Sequence, residues 1–540
     1  MKEGFRQSMA WLHTWSGLLV GWVLFMVFAC GTASYFRDEI TLWMKPELHH
    51  ASHAVVEQGV ATAQIQKLLE QRAPQSPRWF ITLPTEREAA VRASWAPAPT
   101  PSSEEGKPRG RRRFESVSID PLTGQELNAA RATRGGDFFY RMHFDMHYMP
   151  VLWARWIVGA CAMFMLVAII SGIVTHKRIF KDFFTFRPNK GQRSWLDAHN
   201  ATAVLALPYH LMITYTGLVT LMFMYLPQGL NAVYQERDNF YADLNGGPKA
   251  EVKASGVHAP LTPLAPLVAQ ASQEWGGAPV GRITVNLPGD SAATVTVTQQ
   301  SAGTLNSSLP TLTFDGASGK LLSEIDKSSA AVDTRGVMVG LHIGRFASPL
   351  LRGLLFLSGL AGCAMVATGV LLWAVKERPK HLKANANGRI GFGLRLVDGL
   401  NLGGIAGLLI AMGVFFWANR LLPVGLQERQ NLEIHCFFTA WGIAAVLALA
   451  FPARWMWRLQ LAIAGLLFVL LPVLNPLTGG AGLFTSMAQG LWPVAGFDLV
   501  ALLLGCTFLW AGKRLGTAKL PAKAKAKAEA KINTEKEAAA

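Results

Sequence analysis

Apolar residues gather into eight runs, at about 10–36, 150–175, 197–226, 350–375, 398–418, 434–452, 457–475 and 493–512. Each approaches the roughly 20 residues that a helix needs to cross about 30 Å of hydrocarbon, and ionisable groups other than histidine are sparse in them. Two long polar segments, 37–149 and 227–349, separate the first four runs, whereas short loops join the rest. The pattern predicts a polytopic α-helical membrane protein of eight spans with two small α+β domains inserted between helices 1–2 and 3–4. It divides into a first span (1–36), a first outer domain (37–149), spans two and three (150–226), a second outer domain (227–349), span four with its loop (350–397), spans five to eight (398–512) and a Lys/Ala-rich tail (513–540).

The two polar segments share one order of elements. A short helical stretch (Thr62–Gln71, then Leu264–Trp275) precedes a strand (Trp79–Thr82, then Arg282–Asn286), and a later strand (Phe114–Asp120, then Thr311–Asp315) runs into an Asp-x-x-x-Gly turn closed by Gly124 and Gly319. The likeness continues into the apolar runs. Trp11-Leu12-His13 opens the first run and Trp195-Leu196-Asp197-Ala198-His199 the third, while His147 and His342 precede the second and fourth, followed by Arg155 and Arg352 and by Ser171-Gly172 and Thr368-Gly369. The first 375 residues therefore read as a tandem duplication of span, outer segment, span. The last four runs do not repeat it.

Charge sets the expected orientation. With 51 Lys and Arg against 35 Asp and Glu the chain carries a formal charge of +16. Its cations concentrate in the loops after spans two and four, beside Arg454 and Arg458, and in the tail, as the positive-inside rule requires for cytoplasmic loops. Both termini are thus expected on the cytoplasmic side of the membrane, with both polar segments outside. A nucleic-acid partner is not needed to explain the charge. The segment Pro97–Arg113 reads as a mobile external loop, and the first run, despite ending in Phe28-Ala29-Cys30-Gly31, as a retained span. The five cysteines lie in or beside apolar runs without a CxxC pair, against a disulfide framework or structural zinc.

Histidines carry the candidate chemistry. His13, His176 and His199 fall at the cytoplasmic ends of spans one to three, His143, His147 and His342 at the outer ends of spans two and four, and His210 within span three. An imidazole placed in a span needs a partner, and neutral imidazole is the usual axial ligand of low-spin haem. His199 and His210, eleven residues apart, would lie roughly 16 Å apart along one helix on similar sides. One helix could then ligate two b-type haems. The inner haem would take its second ligand from His13 or His176 and the outer one from His147 or His342. The pair His143 and His147 could also hold a metal ion if helical, but no further ligand lies close in sequence. Nucleotide and hydrolase motifs are missing, so any flavin donor would be another protein.

The stretch Ser171-Gly172-Ile173-Val174-Thr175-His176-Lys177-Arg178-Ile179-Phe180-Lys181-Asp182-Phe183-Phe184, with Gly191-Gln192-Arg193-Ser194-Trp195-Leu196-Asp197-Ala198-His199-Asn200 and Pro208-Tyr209-His210-Leu211, resembles the PepSY-associated transmembrane family over about residues 1–380. That resemblance implies PepSY-like outer domains and an inner-membrane, haem-containing ferric-siderophore reductase. Electrons would come from a cytoplasmic reductase or from quinol, and other inner-membrane or periplasmic iron-uptake proteins would be partners. No catalytic residue beyond the haem ligands is implied. Two other classes compete: a PepSY-type binding or regulatory membrane protein, and a solute or siderophore transporter, for which Asp398 and Asp498 are the candidate intramembrane acids.

Overall fold

Long apolar segments can satisfy their amides in a bilayer only internally, and they are helical in the computed structural model, which describes residues 3–49, 56–85, 87, 90–97, 114–127, 130–176, 185–188, 190–236, 239–240, 253–325, 329–384 and 390–517. Most of the external loop at Pro97–Arg113 and the tail beyond 517 lie outside the described residues. Helices α1 (Glu3–Ser34), α2 (Arg37–Trp43), α3 (Gln58–Arg72), α4 (Gly136–Asp145) and α5 (Val151–Thr175) belong to the first repeat. Helices α6 (Gln192–Leu205), α7 (Leu207–Thr220), α8 (Leu264–Glu274), α9 (Ala330–Ile343) and α10 (Pro349–Ala384) form the second. The remainder comprises α11 (Phe392–Leu421), α12 (Arg429–Ala450), α13 (Arg454–Val469), α14 (Leu471–Leu477) and α15 (Trp492–Thr517).

Among the described residues six helices are long and apolar enough to span a membrane, or up to eight if each bent pair counts as one span. The third and seventh spans are broken: α6 and α7 meet at 68°, and α13 and α14 at 41°. Prolines cause both bends. Pro208 and Pro472 each stand in the first turn of the second helix, where the ring withholds an amide proton from the preceding turn.

Correction of the expected domain layout concerns the outer segments, which do not form two separate α+β domains. Their strands β1 (Arg78–Thr82), β2 (Val91–Trp95), β3 (Glu115–Ile119), β4 (Val280–Asn286), β5 (Thr294–Gln299), β6 (Thr311–Asp315) and β7 (Leu321–Ile325) make one antiparallel sheet in the order β3-β2-β1-β4-β5-β6-β7. The junction pairs Trp79 with Val285 and Ile81 with Ile283. A three-stranded sheet under one helix buries little and leaves edges open, and joining the first strands of the two halves removes one edge from each. Helices α3 and α8 cover the same face, over Trp79, Ile81, Ile283, Val285, Val297 and Phe314. The Gln66 side chain bridges the halves, donating to the Thr262 carbonyl and accepting from the Leu264 amide.

The two expected Asp-x-x-x-Gly turns are present. Asp120 accepts from the amides of Leu122 and Thr123, and Asp315 from those of Ala317 and Ser318. Gly124 and Gly319 close them at φ +67° and +74°, a left-handed conformation that glycine enters at little cost.

The last four spans pack on α1, α2 and α4 through one apolar core that includes Trp43, Phe138, Phe139, Phe415, Phe416 and Phe437. At the end of the bundle nearest the sheet, buried polar groups tie them down. Arg131 pairs with Glu47, Arg429 with Glu433, and the Trp43 indole donates to Asp498 at 2.7 Å.

Candidate functional site

Four histidines, two from each repeat, come together as two pairs. His13 at the start of α1 and His199 on α6 have ring centroids 6.1 Å apart. His143 on α4 and His342 on α9 are 6.0 Å apart. The first pair lies toward the end of the bundle away from the sheet, the second toward the sheet.

The four imidazoles are held alike. Each Nδ1 lies within hydrogen-bond distance of a mid-helix carbonyl on a neighbouring helix: His13 to Ala168 (2.8 Å), His199 to Met365 (2.9 Å), His143 to Val27 (2.7 Å) and His342 to Ile213 (3.1 Å). In every case a glycine follows four residues after the carbonyl: Gly172, Gly369, Gly31 and Gly217. A helical carbonyl points toward the residue four places on, so a ring reaching it must cross that position. A Cβ there would come within 3.1 Å of His13, 3.2 Å of His199, 2.7 Å of His143 and 2.9 Å of His342. The glycines make room for the rings.

With Nδ1–H donating to a carbonyl, the tautomer is fixed and the lone pair stays on Nε2. Among the described residues none of the four Nε2 atoms takes part in a hydrogen bond. A metal ion held end-on between two imidazoles would set their ring centres roughly 6 Å apart, from two metal–nitrogen bonds of about 2 Å plus the ring radii. Both pairs fit that spacing. Among the described residues no three or more His, Cys, Asp or Glu side chains gather where they could hold a metal ion. Two imidazoles fill only part of most metal coordination spheres, and in haem proteins a macrocycle supplies the remaining ligands.

The pairing differs in part from expectation. His199 with His13 is one of the anticipated inner combinations, but His176 instead contacts Asn200, with Nε2 3.0 Å from the amide nitrogen. On the sheet side His143, not His147 or His210, faces His342. Helix α4 ends at Asp145 and Met146 turns left-handed (φ 44°), which ends the helix before His147. His147 then stacks on Phe438 of α12, with centroids 5.7 Å apart. His143 and His147 therefore do not share a helical face, which removes the i, i+4 metal site. His210 lies fully buried after the Pro208 bend, edge-on to Phe28. What the sequence reading missed was the glycine four residues after each carbonyl, although Ser171-Gly172 and Thr368-Gly369 were visible as repeated pairs.

The His143–His342 pair lines a cavity of about 350 Å³. Its walls include Leu24, Phe28, Val158 and Met165, and its sheet-side rim carries Arg37, Arg87 and Arg345. Arg87 pairs with Asp38 and Glu39, and Arg37 with Asp137. Tyr35 and Tyr209, hydroxyl to hydroxyl at 3.0 Å, also face the cavity.

Duplicated spans, a shared seven-stranded sheet and two symmetric histidine pairs define a polytopic membrane protein built from two fused repeats. The chain belongs to the family described as the PepSY-associated TM region, which matches residues 10–376. It is similar to an uncharacterised protein of Pseudomonas aeruginosa, 26% identical over 380 residues, covering 66% of this chain and 89% of that protein.

Proposed function

We propose that the protein is a bacterial inner-membrane reductase with two b-type haems that passes electrons across the bilayer to ferric iron held in siderophore complexes. The observation that carries this reading is the pair of bis-imidazole sites at two depths, each ring held by the same carbonyl and glycine arrangement. His13 with His199, and His143 with His342, would hold the two haems, and bound haem would supply reversible one-electron chemistry.

The chain's own part is positioning. The Nδ1–H bonds to the Ala168, Met365, Val27 and Ile213 carbonyls orient the rings and raise the basicity of Nε2. Apolar walls around the sheet-side pair keep water scarce, and the Arg37, Arg87 and Arg345 guanidiniums at its rim favour anionic groups there. The acceptor would dock beneath the sheet, where one electron converts Fe(III) to Fe(II). Hard oxygen donors hold Fe(II) less tightly, so the metal is released. Quinol or a cytoplasmic reductase would supply the electron, with iron-uptake proteins as partners on the sheet side.

The test is a reduced-minus-oxidised spectrum and a haem count on the detergent-purified full chain, followed by mixing the reduced protein with a ferric hydroxamate. About two low-spin b-haems per chain, reoxidised by the complex with appearance of chelatable Fe(II), is the expected result. A folded preparation without haem would remove the reading and leave a binding or transport protein.

A further inference from the structure

The crevice between α13 and α15 belongs to the last four spans, the part of the chain that the repeats do not include. It is an open surface groove of about 420 Å³, lined by Trp455, Arg458, Leu459 and Ala462 on α13 and by Leu509, Gly512 and Lys513 on α15. The two helices touch backbone to backbone deeper in the bundle. A Cβ on Gly465 would meet the Gly505 carbonyl at 2.9 Å, and one on Gly505 would meet the Gly465 carbonyl at 2.8 Å. That contact closes the crevice at its inner end. Toward the bundle surface Gly512 forms a floor open enough that a Cβ would come only to 3.5 Å of the Arg458 carbonyl and of the Leu461 side chain.

The mouth is cationic. Arg458 and Lys513 are exposed and, among the described residues, neither side chain forms a hydrogen bond or an ion pair. By the alternation of the spans they stand at the end of the bundle away from the sheet, beside Trp455, which is 52% exposed. Exposed tryptophan at the end of a span marks the headgroup level of a bilayer. Two unpaired cations at that level, above a slot with apolar walls between two helices, have the form of a basic interhelical pocket for an anionic headgroup.

We propose that this crevice is a binding site for an anionic glycerophospholipid. Arg458 and Lys513 hold the phosphate, the Trp455 ring lies at the glycerol level, and Leu459, Ala462 and Leu509 receive the upper part of an acyl chain over Gly512. The charge pair selects against zwitterionic lipids, whose choline or ethanolamine group would meet two cations.

Native mass spectrometry of the full chain, delipidated in detergent and offered equal amounts of phosphatidylglycerol and phosphatidylcholine, tests this. The wild type is expected to retain phosphatidylglycerol at least fivefold over phosphatidylcholine, and Arg458→Gln with Lys513→Gln to lose that preference. Gly512→Leu, which keeps both charges but fills the floor, is expected to lose the adduct as well. Lys383→Gln, a charge loss elsewhere at the same end of the bundle, is expected to retain it. Equal adducts in wild type and the double variant overturn the site. Displacement of the lipid by millimolar inorganic phosphate overturns the lipid assignment, because a headgroup alone would then suffice. Gel filtration and thermal melting confirm that each variant is folded.

Discussion

The imidazole of His143 lies 6.0 Å from that of His342, each brought from the short helix that precedes a span in its own repeat. His13 and His199 stand in the same relation at the far end of the bundle, 6.1 Å apart. Neither pair is formed within one repeat. The duplication therefore makes the sites as well as the scaffold, and loss of one ring should affect only its own pair.

His13→Ala or His199→Ala is expected to remove one haem of two, and His143→Ala or His342→Ala the other. His147→Ala and His210→Ala are expected to keep both. Pyridine haemochrome counts with low-temperature spectra distinguish the two losses. Loss of both haems in His210→Ala, with His143→Ala unaffected, would contradict the pairing.

The glycines should behave like the histidines they face. Gly217→Leu drives a side chain into space already within 2.9 Å of the His342 ring at the Cβ position. It is expected to lose the same haem as His342→Ala while melting within a few degrees of wild type. Gly172→Ala, where the Cβ contact is 3.1 Å and the ring can give slightly, is expected to keep its haem with a shifted midpoint potential. A redox titration of each variant checks both.

Glu433 is fully buried and joins Arg429, Asn419 and Thr133, linking α12 to α11 and to the segment before α4. Glu433→Ala leaves the buried Arg429 guanidinium without its counter-charge, a loss of about 3–5 kcal/mol. A lowered melting temperature is expected, together with faster tryptic cleavage between α11 and α12. A melting curve matching wild type would show that the network contributes nothing to docking the last four spans.

Asp290, on the outer segment, accepts from the Ser255 hydroxyl and from the amides of Ala292, Ser255 and Gly256. These bonds, the Ser255 hydroxyl foremost, hold its carboxyl down at about 2. A depressed acid stabilises the fold above its unfolded value, near 4, and that contribution disappears as pH falls through about 2. Amide protection factors in residues 253–263 are expected to fall between pH 4 and pH 2 in the wild type. In Asp290→Asn they should already be low at pH 5.

The spans, the duplication, the two Asp-x-x-x-Gly turns and the concentration of histidines at two depths were legible in the sequence, because each depends on local hydropathy, short-range turn chemistry or position along one helix. The strands β1, β3, β4 and β6 were legible for the same reason. Whether the two outer segments would fold apart or share a sheet was decided only by the tertiary structure, since the pairing of β1 with β4 brings together edges from opposite repeats. The same holds for the histidines. Spacing made His210 and His147 as eligible as His143, but the bend before Pro208 and the left-handed turn at Met146 send those two rings elsewhere. Which imidazole meets which depends on a helical carbonyl left accessible by a missing Cβ on another helix, and a contact of that kind leaves no period in the sequence for either partner to reveal alone.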